Sequence, residues 1–234
     1  MELKVLSGGA AQGLVGALAP QLEAETGCRI AGTFGAVGAM RDKLLAGAPA
    51  DLLILTSALV AELQRAGHVA AGSAVDIGIV RTGVAVRAGD PLPSIAGAQG
   101  LRASLLAADA VYFPDPKLAT AGIHFAGVLD RLGIARALEP RLRPFPNGAA
   151  AMRELAAAAS AHPIGCTQIT EILATPGVAL VGPLPEDLGL ATVYTAGVAA
   201  RAGLPDAARR LAALLAGDAA RSLRRGLGFE PPET

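Results

Sequence analysis

The sequence predicts an α/β protein built as two three-layer α/β lobes joined by two crossing strands. Three observations predict it. Apolar runs of four to six residues alternate with helix-length amphipathic stretches along most of the 234 residues, the pattern of βαβ units on a parallel sheet. Turns rich in glycine and other small residues connect the runs to the stretches that follow them. Two extended segments bearing Val and Ile or Tyr, 77–87 and 191–200, are too long for ordinary loops and read as strands carrying the chain out of one lobe and back.

In order, a strand over 3–6 leads through Ser7-Gly8-Gly9-Ala10 into a helix with Leu14, Leu18 and Leu22 on one face, ended by Gly27. A strand over 29–34 runs into Gly35-Ala36-Val37-Gly38 and a helix carrying Met40 and Leu44. The turn at 47–50 opens a strand over 51–56, and a helix over 58–66 stops at Gly67. After the first crossing come a strand over 110–113, a helix over 121–132 closed by Gly133, and a helix opened by Asn147 and Ala-rich over 149–161. A strand over 163–167 and a short helix to Leu173 follow. Beyond the return, Leu204-Pro205-Asp206 supplies an apolar staple, a proline at the first helical position and an early acid for a helix reaching Leu215. Two crossings make the first lobe discontinuous, 1–82 with 197–234, and leave 83–196 as the second.

Composition narrows the function. Twenty Lys and Arg balance twenty Asp and Glu, and the one dense basic patch, Arg221 with Arg224 and Arg225, sits where cations suit a helix C-terminus, so nucleic acid is not an expected partner. No apolar run approaches the ~20 residues needed to span a bilayer. The sequence opens on a strand with no charged and apolar export segment, so the protein is expected in the cytoplasm, or in the periplasm if a leader has been removed. Cys28 and Cys166 lack metal spacing and read as two buried thiols; no metal site is expected. Neither the phosphate-loop pattern nor the dinucleotide fingerprint occurs, and no cofactor is expected.

What remains is a small anion. A helix N-terminus presents unpaired amides and about half a positive charge, and a turn of small residues lets an anion approach them. Such turns lie at Ser7-Gly8-Gly9-Ala10, at Phe34-Gly35-Ala36-Val37-Gly38 and at Thr120-Ala121-Gly122, all at the carboxyl ends of strands where ligands of open α/β sheets collect. Arg81, inside an apolar strand, needs an anionic partner: a ligand carboxylate, or an acid such as Asp76. Gln168 either donates its amide to the anion or caps its own short helix. His124, in the first turns of its helix, and Ser7 are the candidate proton-transfer groups. His68 and His162 carry no such pattern, and Tyr112 and Tyr194 read as strand residues packing between layers.

The motifs Val5-Leu6-Ser7-Gly8-Gly9-Ala10, Ala46-Gly47-Ala48-Pro49-Ala50-Asp51-Leu52, Asp115-Pro116, Ala121-Gly122-Ile123 and Gly226-Leu227-Gly228-Phe229 resemble the type II periplasmic binding-protein (venus flytrap) fold. Within it they resemble the molybdate-binding-protein-like branch of ABC-importer receptors. The resemblance spans nearly the whole chain. It implies anion binding between lobes that close about hinges near residues 82 and 195, and a monomer working with importer membrane subunits. The branch's ligating hydroxyls fall here on Ala10 and Val37, and its tyrosine on Gln168; only the small residue at Ala121 matches in kind. Ser7-Gly8-Gly9, Arg81, His124 and Cys166-Thr167-Gln168 look instead like a sub-branch with organic-acid ligands, to which aconitate isomerase is similar. The expected function is binding of a small organic carboxylate by Ser7, Gly8, Gly9, Ala10, Phe34, Gly35, Ala36, Arg81, Thr120, Ala121 and Gln168. The alternatives are cofactor-free isomerisation of a di- or tricarboxylate, and molybdate or tungstate binding.

Overall fold

A computed structural model describes residues 1–231. The chain runs β1 (Glu2–Gly8), α1 (Gln12–Thr26), β2 (Arg29–Gly35), α2 (Val37–Leu45), β3 (Leu52–Thr56), α3 (Ser57–Arg65), β4 (Val75–Arg87) and α4 (Gly97–Ala107). It continues through β5 (Ala110–Pro114), α5 (Thr120–Arg131), α6 (Ala135–Leu138), β6 (Leu142–Phe145), α7 (Gly148–Ala156), β7 (Pro163–Gln168) and α8 (Ile169–Leu173). β8 (Val178–Pro183), β9 (Ala191–Val198), α9 (Pro205–Ala216) and α10 (Arg221–Gly226) complete it. Two compact units result, residues 1–80 with 192 onward, and residues 81–191. Positions 232–234 of the expected first lobe lie outside the described residues.

In the first unit β1 lies between β2 and β3, parallel to both, and β9 pairs antiparallel with β3. The apolar runs that mark the strands are buried on both faces, as a covered sheet requires: Leu3, Val5 and all of Leu52, Leu53, Ile54 and Leu55 are inaccessible or nearly so. α1 lays Leu14 and Leu22 into this core and ends as expected at Gly27, whose left-handed φ of 67° returns its amide to the Glu23 carbonyl at 2.8 Å. Asp51 ties the returning chain to the unit. Its buried carboxylate accepts from the Lys4 amide at 2.8 Å and from the Leu204 amide at 2.9 Å, at the entry to α9.

The second unit orders its strands β8-β4-β7-β5-β6, with β5 parallel to β6 and β7, and β4 antiparallel to β7 and β8. One face packs on α4 and α5 through Val84, Cys166, Phe113, Phe125, Leu101 and Leu105. The other packs on α7 and α8 through Ala85, Ala151, Met152, Leu155 and Ile172. Tyr112 takes that second face, stacked on Phe145 with ring centroids 6.0 Å apart. Cys28 and Cys166 are buried free thiols, as read from the sequence.

Several expectations are corrected. The sheets are mixed rather than parallel, because each segment that crosses between units runs antiparallel to its neighbour. The Ala-rich helix expected over 149–161 ends at Ala156, where the Ala158 amide turns back three residues to the Leu155 carbonyl at 3.2 Å, and past that end Arg87 Nη1 binds the carbonyls of Ala158 and Ser160 at 2.5 and 3.3 Å. β1 extends through Gly8, and the turn after it is a single 3-10 turn, Gly9–Ala11. α4, α6, β6, β8 and α10 lie outside the sequence expectations.

Candidate ligand-binding site

The junctions at which β1, β2, β3, β5, β6 and β7 run forward into helices differ in capping. After β3 the Thr56 hydroxyl accepts from the Leu59 amide, and after β6 the Asn147 side chain accepts from the Ala150 amide at 2.9 Å, both ordinary N-caps. After β1, β2, β5 and β7 the caps are Ala11, Ala36, Ala119 and Gln168, and none makes a side-chain capping bond. The first amides of a helix have no intrahelical acceptor. The four junctions singled out in the sequence are among the helix starts whose first amides no side chain caps, as are the starts of α4 and α9.

In the first unit, parallel register sets Ser7 beside Phe34 and Gly8 beside Gly35, so the ends of β1 and β2 are level and their helices start side by side. Ala10 and Ala36 are buried, Gly9 and Phe34 half-buried. Gly8 is required by close approach: a Cβ there would sit 2.8 Å from Val37 Cγ1 and 2.9 Å from the Tyr194 ring. The Ser7 hydroxyl donates to the Gly8 carbonyl at 2.8 Å, so its hydrogen is engaged inside the chain and the donors of this corner are backbone amides. No charged side chain stands among these residues.

In the second unit, Asp115 shapes the turn from β5 into α5. Its Oδ1 accepts from the Lys117 and Leu118 amides at 2.7 and 2.9 Å, and its carbonyl accepts from the Ala119 amide at 3.1 Å. The first turn of α5 then lies so close to the strand end that a Cβ on Gly122 would collide with the carbonyl oxygens of Pro114 and Asp115. Thr120 and the buried Ala121 belong to this turn. His124, one turn on, is half-buried with Nε2 2.8 Å from the Leu188 carbonyl, which fixes Nε2 as the protonated nitrogen and leaves Nδ1 as the acceptor of the neutral ring.

Gln168 ends β7 with 2% of its surface exposed, and neither Nε2 nor Oε1 has a hydrogen-bond partner among the described residues. The capping alternative is thus not realised. Directly across the antiparallel ladder is Thr82, 1% exposed, its hydroxyl equally without a partner. Each unsatisfied buried polar group costs roughly 1–3 kcal/mol, so such a pair persists where something else completes it. The pleat places both on one face. Cys166 and Val84 point toward α4 and α5, Thr167 points the opposite way to Glu171, and Gln168 and Thr82 return to the α5 side. Arg81, half-buried in β4, begins this unit and already has an interaction in the folded chain; Asp76, its alternative partner in the sequence reading, accepts from the Thr195 hydroxyl at 2.5 Å.

Sequence reasoning missed Thr82 and Glu171. Glu171 is buried; its carboxylate accepts from the Thr167 hydroxyl at 2.6 Å and from the amides of Ala149 and Gln168. Burial pushes its pKa above the ordinary carboxylate value, against the opposing pull of these three donors. With Gln168 as N-cap, Glu171 is the third residue of α8 and closes one arm of a capping box, a spacing the sequence displays as Gln168-x-x-Glu171. Burial also drives the Cys166 thiol far above its usual range, which leaves it unreactive. Among the described residues no group of three or more His, Cys, Asp or Glu is placed to hold a metal ion, and no helix is long and apolar enough to cross a membrane.

Two α/β units linked through β4 and β9, with helices starting after parallel strands, have the type II periplasmic-binding-protein fold. The chain belongs to the family of bacterial extracellular solute-binding proteins, which matches residues 3–230. It is similar to the periplasmic molybdate-binding protein of Azotobacter vinelandii, with a TM-score of 0.81 at 20% identity over 99% of this chain and 100% of that one. It is similar to the sulfate-binding protein of Mycobacterium tuberculosis H37Rv, with a TM-score of 0.76 at 19% identity over 100% and 88% of the two chains. An aconitate isomerase of a Pseudomonas species is 29% identical over 98% of this chain and 87% of its own length.

Proposed function

We propose that the protein binds a small organic carboxylate and delivers it, as a monomer outside the cytoplasm, to the membrane subunits of an ABC-type importer. The observation that carries this reading is the chemistry of the open junctions. A tetrahedral oxyanion needs a shell of donors, yet the side chains at Ala10, Val37 and Ala121 offer none, and the Ser7 hydroxyl is engaged by Gly8. A carboxylate needs fewer. The amides at Gly9, Ala10, Gly35 and Ala36 in the first unit, and at Thr120 and Ala121 in the second, together with Arg81 and the Gln168 amide, are the groups we assign to it. Isothermal titration calorimetry with a panel of mono-, di- and tricarboxylates against molybdate, tungstate and sulfate tests the reading. Saturable binding of a carboxylate with no heat from the oxyanions is expected; binding confined to molybdate or tungstate would reverse it.

The likeness to an aconitate isomerase favours a second reading, in which the same residues hold a tricarboxylate while a base moves a proton alpha to a carboxylate. His124 Nδ1 is the basic atom nearest in sequence to the open turn of α5, and the Ser7 oxygen is the other candidate. Proton NMR of cis- and trans-aconitate with the protein in deuterium oxide separates the readings. Interconversion with deuterium uptake marks an isomerase; binding without exchange marks a receptor.

A further inference from the structure

We propose that the ligand is a hydroxycarboxylate, recognised by the Gln168 amide and the Thr82 hydroxyl, which together give hydrogen bonds to its oxygens and accept one from its hydroxyl. This rests on the carboxylate reading and narrows it.

The two side chains are ladder partners on β7 and β4, point to the α5 face of the sheet, and are both at least 98% buried. They do not satisfy each other, since the Thr82 hydroxyl, Nε2 and Oε1 are all without partners among the described residues. Their inventory is mixed: two N–H donors on Nε2, one O–H on Thr82, and on Oε1 an atom that can only accept. Turning the amide over exchanges the places of donor and acceptor and removes neither. A fully ionised oxyanion or polycarboxylate carries acceptors alone. It would satisfy Nε2 and the threonine hydrogen and set its own oxygens against Oε1.

The complementary ligand therefore brings a donor beside its carboxylate. An ammonium does not fit, because it needs three acceptors or a carboxylate, whereas Oε1 and the Thr82 oxygen are two neutral acceptors and Glu171 lies across β7 with Thr167. A hydroxyl asks for one acceptor, which Oε1 supplies. The first turn of α5, uncapped and on the same face as Gln168, supplies amides for the adjoining carboxylate.

The test is calorimetry with matched acids that differ by one hydroxyl: lactate and propionate, malate and succinate, citrate and tricarballylate, with wild type, Gln168→Leu and Thr82→Val. In whichever pair binds, the hydroxylated acid is expected to bind at least about tenfold tighter to wild type, since a site built around a hydroxyl rejects the analogue that lacks it. Gln168→Leu should bring that ratio below about threefold, with Thr82→Val reducing it in the same direction. Equal affinities within a pair, or a preference that survives in folded Gln168→Leu, would overturn the inference and leave the carboxylate reading standing. Failure of all six acids to bind would remove the carboxylate reading itself, and this inference with it.

Discussion

The Thr167 hydroxyl donates to the Glu171 carboxyl at 2.6 Å, and both side chains are buried in the second unit. The carboxyl also receives the Ala149 and Gln168 amides, so it joins the start of α7 to the start of α8, at the residue whose side chain we assign to the ligand. Burial outweighs these donors and raises the Glu171 pKa above the ordinary 4.5.

The sign of the resulting pH dependence follows from proton counting. Between the ordinary carboxylate value and the raised one the folded chain holds a proton that the unfolded chain has lost, so stability falls as pH rises through that window. Glu171→Gln, a fixed mimic of the protonated acid, removes this component. Calorimetric unfolding of both proteins from pH 4 to pH 8 is expected to show wild type losing ground to the variant as pH rises. Wild type gaining on the variant would contradict the assignment.

Two glycines of α5 make a controlled comparison. A methyl on Gly122 would strike the backbone carbonyls of Pro114 and Asp115, which cannot turn aside, whereas one on Gly127 meets nothing within 4 Å. Gly122→Ala should lose about 3 kcal/mol or fail to fold, as overpacking against backbone does. Gly127→Ala should gain roughly 0.5–1 kcal/mol from helix propensity and a less flexible unfolded chain. Thermal unfolding of the pair checks both signs in one helix.

The parts of the fold legible in the sequence are those encoded locally. Short apolar runs mark β1, β3 and β7, and Gly27, Asn147 and Pro205 mark helix ends that the structure keeps. What escaped depends on distant residues. The Ala-rich stretch has helix propensity well past Ala156, yet beyond that residue its Ala158 and Ser160 carbonyls are bound by Arg87, far back in the chain. β8 is half-buried along its length and lies on β4, so its sequence shows neither clean alternation nor a wholly apolar run. At the site, Gln168 is legible as the polar residue just past the strand over 163–167. Thr82 is not, because its place opposite Gln168 is set by the β4–β7 register, which no local pattern specifies.

Arg81 carries a separate expectation. As the charged partner assigned to the ligand carboxylate, its truncation to Ala should cost roughly 1–4 kcal/mol of binding, several-fold to a thousandfold in Kd. Lysine keeps the charge and loses the planar fork, so Arg81→Lys should fall between wild type and Arg81→Ala. Calorimetry with the tightest-binding carboxylate decides it. Unchanged affinity in Arg81→Ala would leave the guanidinium a purely structural group.

The contact between α7 and Glu171 can be isolated by a double-mutant cycle. Gly148 has no positive φ that would bar a side chain, but a Cβ there would collide with the Glu171 carboxylate and the Thr167 hydroxyl. Gly148→Ala alone should therefore cost about 2–4 kcal/mol, because it either strains α7 or expels a buried hydrogen-bonded carboxyl. Glu171→Ala alone should cost ~1–3 kcal/mol by orphaning the Thr167 hydroxyl and two amides. In Gly148→Ala/Glu171→Ala the new methyl enters the space left by the carboxyl, so the two costs should fall short of additivity by about 1 kcal/mol or more. For a chain of this size that is roughly 2–4 °C in Tm, within the reach of scanning calorimetry. Strict additivity would mean that Glu171 does not hold the start of α7, and that Gly148 is required by something other than the carboxyl beside it.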